Sequence, residues 1–155
     1  MKITFAGHSV ISLSEKVKDI VKEQMRNSII GGDTVICYLG GYGDFDNICA
    51  VACRELKKEF LQIEMVYVTP YINNLSEHAK NEERQIKGLY DSSIYPPLEG
   101  VPPKFAIIRR NEWMVENSDL VIAYIKHNYG GAYRSLQFAK HKNKKIINIA
   151  DIIQQ

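Results

Sequence analysis

Thr34-Val35-Ile36-Cys37-Tyr38-Leu39-Gly40-Gly41-Tyr42-Gly43-Asp44-Phe45-Asp46 reads as a strand, a glycine-rich turn and the start of a helix. An apolar run bounded by Gly32 and Gly40 fits a strand covered on both faces, the situation inside a parallel sheet. Beyond the turn, Cys49, Ala52, Cys53, Leu56 and Phe60 share one helical face, which predicts a helix over 46–60. Upstream, Lys2 to Ala6 is a second apolar segment, and Val17, Ile20, Val21 and Met25 follow it at helical intervals. Ser12 and Glu15 have capping-box spacing at the front of that helix, and Gly31 and Gly32 close it.

Downstream the unit repeats. Ile63 to Val68 is a strand stopped by Pro70, and Asp119 to Ile125 is another. A helix over 131–142 packs through Ala132, Leu136 and Ala139, and Lys145 to Ala150 reads as the last strand. Between Tyr71 and Pro103 the pattern breaks into an exposed, lid-like insertion. It holds a charged helix from about Leu75 to Lys87 and a short strand near Ser93 to Tyr95, and Pro103 suits the first turn of a helix running to Asn117. Strands alternating with helices of this length predict an α/β fold. The expectation is a single Rossmann-like three-layer domain over 1–155, with a mainly parallel sheet of about five strands and helices on both faces.

A chain of 155 residues has room for one core and one site, not for a nucleotide domain plus a separate substrate domain. Its formal net charge of +2 exerts little pull on polyanions, so neither nucleic acid nor a membrane surface is favoured as partner. The apolar start is too short for a signal peptide, and no later run is long enough to span a bilayer. Cys37, Cys49 and Cys53 match no zinc pattern and no even disulfide set, so reduced thiols in the cytoplasm are expected. The four histidines show no metal-ligand spacing, and no metal or cofactor is expected.

In an open parallel sheet, ligands settle beyond the C-terminal ends of the strands, where loops meet the exposed amides of helix N-termini. Four segments fall there: 7–9, 40–46, 69–71 and 127–131. Gly40, Gly41 and Gly43 let the chain turn sharply and let a phosphate approach the backbone, with Asp44 and Asp46 serving either the ligand or the helix cap. The spacing is neither Gly-x-Gly-x-x-Gly nor a P-loop, which argues against a nicotinamide dehydrogenase and a nucleoside triphosphatase. Gly7 and His8 follow the first strand, and Thr69 the third. Gly130 and Gly131 repeat the strand–glycine–helix arrangement, followed by Tyr133 and by Arg134, which is either an anion partner or a solvated residue. Arg109 and Arg110 lie on the preceding helix, on a solvated face or folded over a phosphate. His8 either meets the ligand or has a structural role.

Phe5-Ala6-Gly7-His8, the 40–46 turn, Val68-Thr69-Pro70 and 117–123 leading to Gly130-Gly131-Ala132-Tyr133 together resemble the SLOG superfamily. That Rossmann-like group includes the Lonely Guy phosphoribohydrolases and the nucleotide-binding core of the DNA-processing protein DprA. The likeness is closest to small bacterial members of the YpsA-like branch. The resemblance implies a site for a nucleoside monophosphate, cyclic nucleotide or ADP-ribose derivative, and in some relatives cleavage of an N-glycosidic bond. The Lonely Guy motif Pro-Gly-Gly-x-Gly-Thr-x-x-Glu lacks its counterpart here, since Gly-Gly-Tyr-Gly-Asp occurs early and without the glutamate. Around Gly131-Ala132-Tyr133-Arg134, arginine stands where nucleoside deoxyribosyltransferases carry a glutamate nucleophile.

Three functions follow. The first is a binder of a small nucleotide ligand acting as sensor, carrier or sequestering protein. The second is an N-glycosidase or phosphoribohydrolase drawing its acid from Asp44, Asp46, Glu77, Glu82 or Glu83. The third is a protein or single-stranded DNA interaction module, which the small net charge weakens. Assembly of copies through a helix face is expected by analogy.

Overall fold

The computed structural model describes residues 1–71, 79–80, 83–84 and 87–153. Six strands, β1 (Lys2–Gly7), β2 (Val35–Leu39), β3 (Ile63–Val68), β4 (Ser92–Ile94), β5 (Leu120–Tyr124) and β6 (Lys145–Asn148), form one sheet in the order β4-β3-β2-β1-β5-β6. Every pairing is parallel, with Ile3 opposite both Cys37 and Leu120 at the centre. Helices α1 (Ser14–Ser28), α2 (Gly43–Leu56) and α5 (Ile149–Ile153) cover one face. Helices α3 (Ala106–Glu116) and α4 (Gly130–His141) cover the other.

Alternation along each strand feeds the two cores. Ile3, Phe5, Cys37, Leu39, Met65 and Ile122 point to the α1–α2 side, where they meet Val17, Val21, Met25, Phe45, Cys49 and Cys53. Ala6, Tyr38, Val66 and Val121 point the other way, toward Met114, Val115 and Ala139. The three cysteines are free and fully buried, with Cys53 Sγ 4.0 Å from Met25 Sδ. Burial pushes the Cys49 thiol well up, and a hydrogen bond with Cys37 together with burial does the same for Cys53.

Among the described residues the sheet has six strands, in keeping with the expected five or so. The short strand expected near Ser93 to Tyr95 is β4, which joins the stretch read as an exposed insertion to the sheet by pairing with β3 from Val66 to Val68. Asp91 secures this edge by accepting the Met65 amide at 2.7 Å and pairing with Lys57, and Leu98, further along the same stretch, is buried. Most of the charged helix expected over 75–87, with Glu77 and Glu82, lies outside the described residues.

Three boundaries differ from expectation. Ser12 caps nothing: α1 starts at Ser14 behind Leu13, a left-handed residue (φ 59°) with no side-chain cap. Helix α2 begins at Gly43 and ends at Leu56, so it runs earlier than the apolar spacing indicated. The last strand stops at Asn148, not Ala150, because the Asn148 side chain replaces a strand partner. It accepts the Ile125 amide, donates to the Ile125 carbonyl, and accepts the Ala150 amide to start α5. Pro103 begins a short 3-10 turn leading into α3, as its position foretold. Among the described residues no helix is long and apolar enough to cross a membrane.

Candidate ligand cleft

The chain winds outward from β1 through β2, β3 and β4, then jumps back across to β5. This makes the β1/β5 boundary the point where the direction of winding reverses, and such a point opens a crevice at the C-terminal edge. A cleft of about 490 Å³ sits there, lined by Gly7, His8, Ser9 and Val10 from the β1–α1 loop and by His127, Tyr129, Gly130, Gly131 and Ala132 from the β5–α4 loop. Its size is in the range of small-ligand sites.

One wall is the start of α4. Gly130 has φ 91°, Tyr129 precedes it in extended conformation, and a Cβ built on either glycine would meet nothing within 4 Å. Space beside both glycines at the start of this 12-residue helix is therefore open, at the end that carries the helix's partial positive charge. The opposite wall is fixed by His8. Its backbone N–H donates to Tyr124 O at 3.2 Å, and its Nε2 accepts the Lys126 amide at 2.8 Å. Partial burial, then the neighbouring His127 and Lys126, lower its pKa, which favours the neutral imidazole that this acceptor role requires. The His8 ring stacks on His127, and His127 stacks on Tyr129.

The central glycine turn has a different role from the one expected. Its helix start is plugged by the β1–α1 loop: Asp44 N–H donates to Ser9 O at 2.9 Å and Phe45 N–H to His8 O at 3.4 Å. Asp46 Oδ2 accepts the Tyr42 amide at 2.9 Å, and Asp44 Oδ2 accepts the Ile11 amide at 2.8 Å. The glycines answer to packing. A Cβ on Gly40 would sit 3.1 Å from the Arg110 guanidinium carbon, one on Gly41 2.6 Å from the Tyr67 ring, and one on Gly43 2.7 Å from Ser9 Cα. Gly7 is likewise required by the Phe45 ring, 2.3 Å from where its Cβ would be. The turn thus serves as a socket for its neighbours, with the Asp44 and Phe45 amides already given to the β1–α1 loop.

Behind the cleft lies a smaller chamber of about 120 Å³, bounded by Asp46, Arg110, Asn111 and Ser135 and sharing Gly7, Gly131 and Ala132 with it. Arg110 is 2% exposed. Neither solvated nor positioned over the cleft, it donates to Val68 O at 2.8 Å, to Gly40 O at 3.2 Å and to Asn111 Oδ1 at 2.9 Å. Burial pushes the Asp46 carboxyl up to about 6, against the pull of the Tyr42 amide and Arg110.

The remaining candidates lie elsewhere. Thr69 forms a local turn with Tyr71 at the end of β3, two strands from β1. Tyr133 packs against Ala123, Ile125 and Leu136, and Arg134 borders a groove between α3 and α4. The cleft therefore unites Gly7, His8, Gly130 and Gly131, while Asp46 and Arg110 stand behind it. His127 and Tyr129 were overlooked as individual residues, although the 127–131 segment carried the signal. Among the described residues no three His, Cys, Asp or Glu side chains cluster as metal ligands.

No protein-family model and no curated protein matches the chain. Solved structures do. DNA processing protein A from Helicobacter pylori, whose structure concerns its single-stranded DNA binding mode, superposes with a TM-score of 0.59 at 17% identity, over 94% of this chain and 63% of that one. DNA processing protein A (DprA) from Streptococcus pneumoniae superposes with a TM-score of 0.63 at 15% identity, over 94% of this chain and 48% of that one. The chain spans less than two thirds of either protein. The class defined is a Rossmann-like α/β fold, similar to the one within DNA processing protein A.

Proposed function

We propose that this chain binds a nucleotide or nucleotide-derived ligand in the β1/β5 cleft, with a phosphate on the first amides of α4. The observation that carries this reading is the contrast between two helix starts. The α2 start is occupied by Ser9 and His8 carbonyls, whereas the α4 start opens unobstructed onto a cleft at the winding reversal. Residues 1–155 act as one binding unit in this proposal, a sensor, carrier or sequestering domain within the YpsA-like part of the SLOG group. The free, buried thiols support a reducing compartment such as the cytoplasm. Because the Helicobacter pylori neighbour binds single-stranded DNA, the ligand class includes a nucleotide within a strand as well as a free monophosphate, cyclic nucleotide or ADP-ribose derivative. Calorimetry and thermal shift against that panel test the reading. Gly131→Val places a side chain over the amides without backbone strain, since Gly131 has ordinary φ and space beside it. Binding lost at unchanged melting temperature is the expected result; a ligand held equally well by the variant sinks the assignment.

A second reading, N-glycosidic hydrolysis, is favoured by Asp46 alone. Its carboxyl, pushed up to about 6 by burial, lines a chamber with room for water that adjoins the cleft. Release of free base from nucleoside monophosphates, abolished in Asp46→Asn, is its signature. Binding without base release leaves only the first reading.

A further inference from the structure

The rings of His8, His127 and Tyr129 form a continuous column. His8 and His127 lie 3.8 Å apart at 11°, and His127 and Tyr129 3.9 Å apart at 17°. The inner end is pinned to the sheet by the His8 hydrogen bonds to Lys126 and Tyr124. The outer end is Tyr129, 68% exposed. All three rings line the cleft, and Tyr129 immediately precedes Gly130 and Gly131. A stacked column that leaves a large aromatic in solvent has no packing reason to end there. Stacking area for a further flat ring stands one residue away from amides that suit a phosphate.

We infer that Tyr129 is a nucleobase platform: the ligand's base stacks on it as the fourth ring of the column while its phosphate rests on the Gly130–Gly131 amides. The inference rests on the nucleotide reading and narrows it to a phosphorylated nucleoside read through the face of its base. The side chains that accompany the rings along the cleft are small or aliphatic, Ser9, Val10 and Ala132, with no carboxamide or carboxylate to read a base edge. Face recognition without edge recognition accepts any base, with purines held more tightly than pyrimidines because they offer more π-surface.

The test compares AMP, UMP and ribose 5-phosphate by calorimetry on the native chain, Tyr129→Ala and Tyr129→Trp. Native chain is expected to bind AMP more tightly than UMP and both more tightly than ribose 5-phosphate. Tyr129→Ala is expected to weaken AMP on the order of tenfold to a hundredfold and leave ribose 5-phosphate unchanged. Tyr129→Trp is expected to keep AMP binding and to report it by quenched indole fluorescence. Equal affinity of the native chain for AMP and ribose 5-phosphate, or an equal loss of both in Tyr129→Ala, overturns the platform while the phosphate site stands. Failure of all three ligands and of an oligonucleotide overturns the nucleotide reading and this inference with it. A short oligonucleotide bound more tightly than AMP, with Tyr129→Ala weakening it too, supports the platform with a single strand as source. An oligonucleotide bound no better than AMP, both weakened in Tyr129→Ala, supports it with a free nucleotide as source.

Discussion

The carboxylate of Asp44 accepts the Ile11 amide at 2.8 Å, so the first residues of α2 grip the loop that forms one wall of the cleft. The Asp44 amide donates to Ser9 O in the same contact, making the attachment reciprocal. The shape of the cleft therefore depends on a side chain that does not line it.

Asp44→Ala should leave the Ile11 amide without its partner and cost about 1–3 kcal/mol of stability. Ligand affinity should fall as well, because residues 8–11 lose their anchor. Asp44→Asn, which retains an acceptor oxygen, should recover most of both. Urea denaturation alongside calorimetry checks this, and an Asp44→Ala protein as stable as the parent would count against the anchoring role.

Gly31 and Gly41 share nearly the same backbone conformation, φ 77° and 74°, in different surroundings. A Cβ on Gly31 would meet nothing within 4 Å, whereas the Tyr67 ring sits where a Gly41 Cβ would go. Gly31→Ala should cost about 1–2 kcal/mol, the left-handed penalty alone. Gly41→Ala should add an overpacking cost of about 1–3 kcal/mol. Equal denaturation midpoints for the two variants would show that Tyr67 yields freely.

Asp46 links stability to pH. Its native pKa of about 6 stands above the ordinary 3.8, so the folded chain holds this proton more tightly than the unfolded chain. The group therefore imposes no penalty below pH 3.8, a growing one as pH rises to about 6, and its full penalty above that. The difference corresponds to roughly 3 kcal/mol. Asp46→Asn, still able to accept the Tyr42 amide, should be more stable than the parent at pH 8 by about that amount and equal to it at pH 3.5. Parallel stability profiles for the two proteins would contradict a desolvated carboxyl.

His8 acts with the opposite sign. A lowered pKa means the unfolded chain binds the proton more readily, so stability from this group is complete above pH 6.5 and declines as pH falls below it. Protonation also removes the Nε2 lone pair that receives the Lys126 amide. An NMR titration should place the His8 midpoint below 6.5, and His8→Gln should flatten the acid side of the profile. A midpoint at or above 6.5 would contradict the partly buried ring that accepts the Lys126 amide.

The central strands were readable because each is an apolar run, closed by glycine or proline in β1, β2 and β3, and parallel burial demands such runs. Strand β4 was legible as a short strand near Ser93 to Tyr95, but not as a member of the sheet. Ser92-Ser93-Ile94 has no apolar pattern of its own, and its place depends on Asp91 reaching Met65 across 26 residues of chain. The winding-reversal rule located half of the cleft, since it needs only strand order and the residues following β1 and β5. The central glycines were visible as residues that must lack a side chain, yet their reason lay in Ser9, Tyr67 and Arg110, distant in sequence. Arg110 shows the same limit: its helix position fits a solvated arginine, and only the approach of the Gly40 and Val68 carbonyls explains a buried one. The ring column was beyond sequence reading because stacking depends on the angle between two loops.

Cys37 of β2 and Cys49 and Cys53 of α2 sit at zero exposure between sheet and helix; burial raises the Cys49 thiol, and the hydrogen bond with Cys37 together with burial raises that of Cys53. Alkylating reagents require an ionised, accessible sulfur, so the native molecule shields three sealed reporters of its own opening. How fast they are modified becomes a clock for the cooperative rupture of the α1–α2 face, and a bound molecule that clamps the β1–α1 loop onto α2 would slow it.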